Sequence, residues 1–377
     1  MKADVESEKN RVTLDARMLG FTGIGSYVGG LLRGVASVAS EFGFTVICST
    51  PHAPLDWLST RFRLVESRAP IYSLREQWQI PRLLDGTGLL HCPHYNVPYF
   101  YRGRLVVTIH DLTHLVHREF LPNLLAYQYA CSMLRLAVQR AARIITVSQF
   151  SKDSIQERFR VPDEKIRVIY NGLTEQRPDV AGEADRERLR ALRILGPYVL
   201  FVGLLKAHKN VQALLQAFAL VSPETRKRFQ LVIAGKKDNF YPSLCRLVRE
   251  LSLEERLVFT GHVSDDDLEA LYARATVFVL PSFNEGFGFP ALEAMAHGVP
   301  VIVSDASSLP EVVGNAGILI NPHDAQSIAS AIERVVSDGE LRQRLAVLGR
   351  ERAQLFSAKE SALQHLEVYR EVLNTAS

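Results

Sequence analysis

Short apolar runs alternate with longer amphipathic segments along this chain, and the alternation occurs twice. In the first half, β-branched runs followed by helical patterns lie at 12–14, 45–48, 105–109 and 143–147. In the second half, they lie at 198–202, 230–234, 258–260, 277–280 and 301–304. This alternation is typical of parallel strands joined by crossover helices. The sequence therefore predicts an α/β fold with two Rossmann-like, doubly wound domains.

A charged segment from Thr174 to Leu195 separates the two halves. It contains Pro178 and Gly182 and has no strand pattern, so it is the predicted linker. We place an N-terminal domain at residues 1–173 and a second domain at residues 196–356.

Ser357, followed by Glu360 and by spaced apolar residues, predicts a capped amphipathic helix over residues 357–377.

Composition excludes several classes of protein. The net charge of +3 on 377 residues is too small to indicate a nucleic-acid partner. The first ten residues are polar and charged, and no apolar run reaches the ~18 residues of a membrane span, so we expect a soluble, cytoplasmic protein. The cysteines form no CxxC pair, which favours reduced thiols and argues against zinc; they are Cys48, Cys92, Cys131 and Cys245.

Two acidic residues flank the start of a predicted helix in the second half. Glu285 lies in the loop after the strand at 277–280, and seven residues separate it from Glu293 on the predicted first turn. Glycines such as Gly288 let a ligand approach the backbone, Pro290 suits a first helical turn, and the helix start favours a phosphate. The two carboxylates can address opposite ends of one ligand. Electrostatic capping by Glu285, with a solvated Glu293, is the simpler alternative.

The run from Glu285 to Val301, EGFGFPALEAMAHGVPV, resembles the E-x7-E signature of the retaining GT-B glycosyltransferases of family 4, which include many bacterial mannosyltransferases. The resemblance covers nearly the whole chain. It implies two Rossmann-like domains that face a cleft, with the last helix crossing back to the first domain. It also implies that Glu293 binds the donor ribose, that Glu285 binds the transferring sugar, and that the backbone at Gly288 and Phe289 binds the diphosphate or the sugar.

A lysine follows the first strand of the second half, in the segment GLLKAHKN from Gly203 to Asn210. A cation near a helix start can stabilise a departing diphosphate without a metal, although most single lysines are solvated surface residues. The family often has Gly-Arg and then a lysine six residues after the glycine. Lys209 matches that lysine, whereas Leu204 stands in the arginine position. Lys206 and His208 are candidates for the second phosphate cation.

Two glycines, Gly23 and Gly25, lie between the first strand and the first helix. They do not form a dinucleotide-binding fingerprint, because Val28 replaces the third glycine and residues 44–49 offer no acid for a ribose. The segment from Asp15 to Tyr27 resembles the acceptor-domain loop of the family. The resemblance implies that Gly25 approaches the donor phosphate.

His110 and Asp111 follow the strand at 105–109, at the end where a sheet binds ligands. A His–Asp pair is more often structural than catalytic. In the family, however, a histidine here contacts the transferring sugar, which makes His110 a candidate catalytic residue with Lys209 and Glu285. Ser151 is expected to cap the next helix, since no glycine-flanked nucleophile elbow surrounds it.

The D-x-D pattern at Asp265–Asp267 is expected to be the first turn of a helix capped by Ser264, so no metal is predicted. A helical segment over 123–143 is explained by packing on the first sheet, with peripheral membrane contact as the alternative.

The sequence thus predicts a hexosyltransferase without cofactor, in the cytoplasm or at the inner face of the membrane. The resemblance favours GDP-mannose as donor and a saccharide or lipid-linked acceptor in surface-polysaccharide synthesis. Two alternatives stay open: a catalytically silent nucleotide-sugar-binding scaffold, and an NAD(P)-dependent oxidoreductase, which lacks its fingerprint. Oligomeric state is not determined by the sequence.

Overall fold

The protein is described here by a computed structural model that covers residues 10–49, 58, 60–84, 88–116, 121, 123–174, 182–238 and 240–375. The chain divides into two compact units. The N-terminal unit comprises Met1–Thr174 together with Phe356–Ser377, and the C-terminal unit comprises Glu175–Leu355. Each unit is an α/β fold around a parallel sheet, which confirms the predicted fold class.

Seven described strands form the sheet of the N-terminal unit: β1 Arg11–Asp15, β2 Gly43–Cys48, β3 Arg63–Glu66, β4 Leu89–Cys92, β5 Arg104–Thr108, β6 Arg143–Thr146 and β7 Ile166–Val168. Their order is β3-β2-β1-β4-β5-β6-β7, and all pairs are parallel. The helices between them are α1 Thr22–Ser37, α2 Leu74–Leu83, α3 Thr113–Val116, α4 Leu124–Arg140 and α5 Gln149–Phe159.

Six described strands form the sheet of the C-terminal unit: β8 Tyr198–Val202, β9 Gln230–Ala234, β10 Leu257–Gly261, β11 Val277–Leu280, β12 Val301–Ser304 and β13 Gly317–Ile320. Their order is β10-β9-β8-β11-β12-β13, again parallel. The helices are α6 Glu183–Ala191, α7 Val211–Leu220, α8 Pro223–Arg228, α9 Tyr241–Glu250, α10 Asp265–Arg274, α11 Phe289–Ala296, α12 Leu309–Val313, α13 Ala325–Ser337 and α14 Gly339–Gln354.

The strand order reverses beside the first strand of each sheet. β1 lies between β2 and β4, and β8 lies between β9 and β11. In such sheets a crevice opens outside the carboxyl ends of the two strands where the order reverses, and ligands bind there. The loops after β8 and β11 are therefore the expected site in the C-terminal unit.

The last helix, α15 Ala358–Asn374, belongs to the N-terminal unit and packs on α1. Gly34 permits the close approach, because a Cβ there would lie 2.2 Å from the carbonyl oxygen of Ala358. The buried side chains of Leu366 and Tyr369 join the core under the sheet. Ser357 caps the helix as predicted: its hydroxyl accepts a hydrogen bond from the Lys359 N–H.

Helix α6 lies within the predicted linker, and Pro178 of that linker lies outside the described residues. Two other local expectations need correction. Ser148, not Ser151, caps α5, since its hydroxyl accepts the Ser151 N–H at 3.2 Å. Glu293 lies in the second turn of α11 rather than the first, because the helix begins at Phe289.

Helix α4 buries Ala130, Met133, Leu134, Ala137 and Val138 in the unit's core, as expected for packing on the sheet. Across the described ranges, no helix is both long enough and apolar enough to cross a bilayer.

Candidate functional site

The loops at the reversal point of the C-terminal sheet are tied together by hydrogen bonds. Asn210 follows a short 3₁₀ turn, Ala207–Lys209, after β8. Its buried amide donates to the carbonyl oxygens of Pro281 at 3.0 Å and Pro322 at 2.7 Å. The Phe283 N–H also donates to the carbonyl oxygen of His208 at 2.8 Å. These bonds fix the loop that carries Lys209 against the loop that carries Glu285.

Lys209 and Glu285 form an ion pair in these loops. The Lys209 ammonium lies 2.7 and 2.8 Å from the two carboxylate oxygens of Glu285. The Ser282 hydroxyl donates to one of those oxygens at 2.7 Å, and the Glu285 N–H donates to the Ser307 hydroxyl at 3.0 Å. Glu285 is only 8% exposed, and Lys209 and Ser282 supply its buried side chain with an opposite charge and a hydrogen-bond donor. The structure thus brings together two predicted site residues that lie in separate segments of the sequence.

The backbone turn at Gly288 leads directly into α11. Gly288 has φ +105°, a region that favours glycine, and a Cβ there would lie 2.6 Å from Leu309 Cδ2. Among the described side chains, none caps this helix, and the Ala291 N–H already donates to the Gly288 carbonyl, so the Phe289 N–H is the first-turn donor that can face an anion. A cationic side chain and a helix start in adjacent loops suit a ligand with a phosphate.

Glu293 is bound by a neighbouring helix rather than by the Lys209–Glu285 pair. The Tyr272 hydroxyl of α10 donates to Glu293 Oε2 at 2.7 Å. The His297 ring stacks on Tyr272 and has its Nε2 2.8 Å from Glu269 Oε2. Burial raises the pKa of Glu293 to about 7, against the opposing effect of the Tyr272 hydrogen bond. This carboxyl group therefore titrates near neutral pH.

Among the described residues, the geometry identifies no cation that replaces the family's arginine. Leu204 is half-buried, and Lys206 is exposed just before the 3₁₀ turn. His208 supports the loop through its carbonyl oxygen. A second phosphate cation from Lys206 or His208 stays a prediction.

In the N-terminal unit, His110 lies just beyond β5 and three neighbours hold it. Its Nε2 is 2.9 Å from the Pro93 carbonyl oxygen, its own carbonyl accepts from the Ser151 hydroxyl at 2.8 Å, and its ring meets the Tyr27 ring edge-on with centroids 4.8 Å apart. Burial lowers the pKa of His110, so the ring is neutral near pH 7. Because a carbonyl can only accept, Nε2 carries the proton and Nδ1 is an acceptor.

The Asp111 carboxyl group accepts a 2.8 Å hydrogen bond from the N–H of Thr113, the first residue of the short helix α3. Its observed contact is therefore local and structural.

Gly25 lies in the first turn of α1, where its N–H donates to the Phe21 carbonyl at 2.7 Å. A Cβ at this position would lie 2.4 Å from the carbonyl oxygen of Leu19. Local packing thus requires a glycine here, and the contact with a donor phosphate remains a prediction.

A buried charge cluster at the reversal point of the N-terminal sheet was not predicted. Arg17 Nη2 lies 2.7 Å from Asp15 Oδ2 and 2.9 Å from Glu76 Oε2. A pocket opens beside it, between the ends of β1 and β4, lined by Asp15, Arg17, Met18, Ile71, Cys92, Pro93, His94 and Asn96. The sequence signal for this cluster is an acid and an arginine at the carboxyl end of a strand.

The three acids at Asp265–Asp267 occupy the first turn of α10, and the Ser264 hydroxyl accepts the Asp267 N–H at 3.2 Å. Arg188 of α6 pairs with Asp266 and Asp267. Within the described part of the chain, no group of three or more His, Cys, Asp or Glu side chains could hold a metal ion.

Comparison with known families matches each half of the chain to a glycosyltransferase model. Residues 21–177 match "Glycosyltransferase Family 4", and residues 192–352 match "Glycosyl transferases group 1". Two parallel α/β units that carry these matches define a glycosyltransferase of the GT-B type. The chain belongs to glycosyltransferase family 4, which confirms the predicted family and the prediction of an enzyme.

Among its relatives, the O-antigen chain mannosyltransferase B of Escherichia coli is 32% identical over 81% of this chain and 80% of its own length. The O-antigen chain mannosyltransferase RfbU of Salmonella typhimurium is 28% identical over 81% of this chain and 83% of its own. A solved structure of HepE from Anabaena, in complex with UDP-glucose, shares the fold, with a TM-score of 0.76, 19% identity and coverage of 96% of this chain and 99% of its own.

Proposed function

We propose that this enzyme transfers a hexose from a nucleoside-diphosphate sugar to a hydroxyl of a saccharide or lipid-linked acceptor, with retention at the anomeric carbon, in surface-polysaccharide synthesis. GDP-mannose is the first candidate donor. The observation that carries the proposal is the Lys209–Glu285 pair, which lies at the reversal point of the C-terminal sheet beside the start of α11.

The relatives support the sugar and the pathway class. Two of them are named as O-antigen mannosyltransferases, and they cover most of this chain. The solved structure with UDP-glucose supports a nucleotide-sugar donor for this fold, although its base and sugar differ from our first candidate. A direct comparison of donors must therefore decide between GDP-mannose and UDP-linked hexoses.

In the proposed reaction, the bond between the sugar C1 and the β-phosphate oxygen breaks, and a bond between C1 and the acceptor oxygen forms on the same face. The acceptor proton passes to a phosphate oxygen, and the nucleoside diphosphate leaves. Lys209 offsets the charge that develops on the leaving group, assisted by the amides at Gly288 and Phe289. Glu285 holds Lys209 in place. The lone pairs of its carboxylate that do not face Lys209 accept hydrogen bonds from sugar hydroxyls.

The remaining predicted residues have proposed roles around the same donor. Glu293 accepts hydrogen bonds from the ribose hydroxyls, and its contact with Tyr272 orients the carboxylate for this. Neutral His110 accepts a hydrogen bond from a sugar hydroxyl at Nδ1, because Pro93 already binds Nε2. Gly25 approaches the diphosphate with its backbone.

Thermal-shift screening against GDP-mannose, UDP-glucose, UDP-galactose and the free nucleotides tests donor choice, because a selective ligand stabilises the protein by mass action. Turnover is then measured as release of the nucleoside diphosphate, and the product's anomeric configuration is determined by NMR. We expect Lys209→Ala and Glu285→Gln each to lower kcat by about 100-fold or more. Lys227→Ala, an exposed lysine of α8, is the matched control and should leave kcat unchanged.

Unimpaired transfer in both site variants would contradict the site. Selective donor binding by wild-type protein without any transfer or hydrolysis would instead favour the nucleotide-sugar-binding scaffold.

A further inference from the structure

Five buried side chains in the core of the N-terminal unit form one continuous chain of hydrogen bonds. The Tyr369 hydroxyl lies 2.7 Å from His91 Nδ1, and His91 Nε2 lies 2.8 Å from the Thr108 hydroxyl. The Tyr27 hydroxyl lies 2.7 Å from Thr108 and 2.8 Å from His365 Nε2. Each of these residues is at most 3% exposed. This chain of hydrogen bonds joins α1, β4 and β5 to two residues of α15, His365 and Tyr369.

One backbone carbonyl determines the direction of every bond in this chain. His365 Nδ1 lies 2.7 Å from the Ser361 carbonyl oxygen, which can only accept, so Nδ1 carries the proton and Nε2 accepts from Tyr27. The Tyr27 oxygen must then accept from Thr108. Thr108, having donated its one proton, accepts from His91 Nε2.

The direction continues to the end of the chain, where His91 Nδ1 accepts from Tyr369. All donors and acceptors in it are paired when both histidines are neutral. Burial lowers the pKa of each, which agrees with this assignment.

Tyr27 connects this chain to His110. Thr108 and His110 are two residues apart, and the Ile109 N–H still bonds to the neighbouring strand, so their side chains share one face of β5. Tyr27 spans both: its hydroxyl accepts from Thr108, and its ring lies against the His110 ring at an interplanar angle of 86°. The hydrogen bonds of the Tyr27 hydroxyl therefore fix the position of the Tyr27 ring, which packs against one side of the His110 imidazole.

We propose that Tyr27 is a positioning residue for His110, and that the last helix fixes Tyr27 through His365. The proposal rests on the proposed role of His110 at the transferring sugar. His365, which lies 338 positions away from Tyr27 in the sequence, thus contributes to the orientation of the candidate catalytic histidine.

Tyr369, at the other end of the same hydrogen-bond chain, provides a matched control. Tyr369 is as buried as Tyr27 and donates one hydrogen bond to a buried histidine. Its ring contacts are with Phe42, Phe44, His91 and His365. Tyr369→Phe removes one buried hydroxyl without changing the ring that contacts His110.

The experiment compares Tyr27→Leu, Tyr27→Phe and Tyr369→Phe in the full-length enzyme, with Tm, kcat, donor affinity and the ¹⁵N chemical shifts of His110 as readouts. We expect Tyr27→Leu to lower kcat by about 100-fold and Tyr27→Phe, which keeps the ring, by about tenfold. Tyr369→Phe should lower Tm, though by less than Tyr27→Phe, because it removes one buried hydrogen bond and Tyr27→Phe removes two. It should leave kcat within about twofold of wild type, because it does not touch the His110 contact. Donor affinity should stay at the wild-type value in Tyr369→Phe and should change less than kcat in the two Tyr27 variants, because His110 is proposed to contact only the sugar of the donor.

His365 is tested in the same way. His365→Leu removes the acceptor for Tyr27 and should lower kcat about tenfold, whereas His365→Gln, whose side-chain oxygen can accept the same bond, should recover most of it.

The ¹⁵N spectrum separates this proposal from the proposed function. Wild-type His110 should show a single neutral form protonated at Nε2, and Tyr27→Leu should shift or broaden that signal whether or not transfer is detected. If wild-type enzyme transfers no sugar, the proposed function fails while the spectrum still decides the positioning role. Wild-type kcat and unchanged His110 shifts in Tyr27→Phe and Tyr27→Leu would overturn the proposal, as would a loss of kcat in Tyr369→Phe equal to that in Tyr27→Phe.

Discussion

A mostly buried carboxylate must be paired or well hydrogen-bonded, and Glu285 is both. Lys209 and Ser282 compensate it from one side, and the Ser307 and Ser308 hydroxyls hold its backbone N–H and carbonyl from the other. The charges of the proposed donor site are therefore held in place by contacts within the protein. That preorganisation is what electrostatic stabilisation of a leaving group requires.

Glu293 leads to a prediction about the pH dependence of donor binding. Burial raises its pKa to about 7, and only the ionised carboxylate has full capacity to accept two ribose hydroxyls. Donor affinity should therefore rise as pH rises, by about tenfold between pH 6 and pH 8, where the ionised fraction grows from about a tenth to about nine tenths. Calorimetric titration with an intact nucleotide sugar measures this.

Glu293→Gln is the control for that titration, since its amide does not ionise. Its affinity should be lower at pH 8 and independent of pH over the same range. An equally steep pH dependence in Glu293→Gln would assign the effect to another group.

At the scale of elements, the packing of α15 on α1 depends on how closely two backbones approach. Gly34 lies where a Cβ would overlap the Ala358 carbonyl, whereas a Cβ on Gly29 of the same helix would meet Leu19 Cδ1 at an ordinary 3.7 Å. Both glycines weaken the helix intrinsically, but only one of them is required by packing.

The same substitution in α1 should therefore have opposite effects at these two positions. Gly29→Ala should stabilise the N-terminal unit by up to about 1 kcal/mol through helix propensity. Gly34→Ala should destabilise it by about 1–3 kcal/mol, because α15 must move away. Denaturant unfolding followed by circular dichroism compares the two variants, and an equal stabilisation in both would show that α15 does not pack against Gly34.

The buried histidine of α15 predicts that acid weakens the N-terminal unit. Burial lowers the pKa of His365 to about 4, so between pH 6.5 and pH 4 the unfolded chain binds a proton that the folded unit does not. Stability from this group is complete above about pH 6.5 and decreases as pH falls, by about 2 kcal/mol at pH 5. Tm measured from pH 7.5 to pH 5 tests this.

His365→Gln should reduce this pH dependence, while His323→Gln, at an exposed position of the C-terminal unit, should leave it as in wild type. Identical slopes in all three proteins would contradict the assignment to His365.

Some elements could be predicted from sequence and others could not, for identifiable reasons. The bounds of β8, β9, β11 and β12 agree with the predicted runs because each strand consists mainly of consecutive apolar residues. β4 was missed, since its four residues include His91, whose polarity interrupts the pattern. His91 is tolerated there only because Tyr369 and Thr108 satisfy both of its nitrogens.

At the scale of the whole molecule, the N-terminal unit is built from both ends of the sequence. The Leu173 N–H donates to the Phe356 carbonyl, and the Ala358 N–H donates to the Leu173 carbonyl. Beyond these bonds, α15 supplies Tyr369 and His365 as partners for His91 and Tyr27 in the core. Without α15, buried polar groups of α1 and β4 lose their partners.

A chain that ends at Leu355 should therefore lose the fold of the N-terminal unit and keep that of the C-terminal unit. Hydrogen exchange should show lost amide protection in β1, β4 and β5 and retained protection in β8 and β11. Binding of the donor nucleotide should persist, since Lys209, Glu285 and Glu293 lie in the C-terminal unit. A chain that ends at Thr375 is the control, and unchanged protection of β1 and β4 in the shorter chain would contradict the prediction.

The sequence by itself determined the two α/β halves, the family, and the identity of Lys209, Glu285 and Glu293 as candidate site residues, because periodicity and motif spacing are local properties of the chain. Only the tertiary structure decided that Lys209 pairs with Glu285, 76 positions away, and that Tyr27 binds His365, 338 positions away. Such pairs depend on which strands lie side by side and on how closely helices approach. No local pattern records that arrangement.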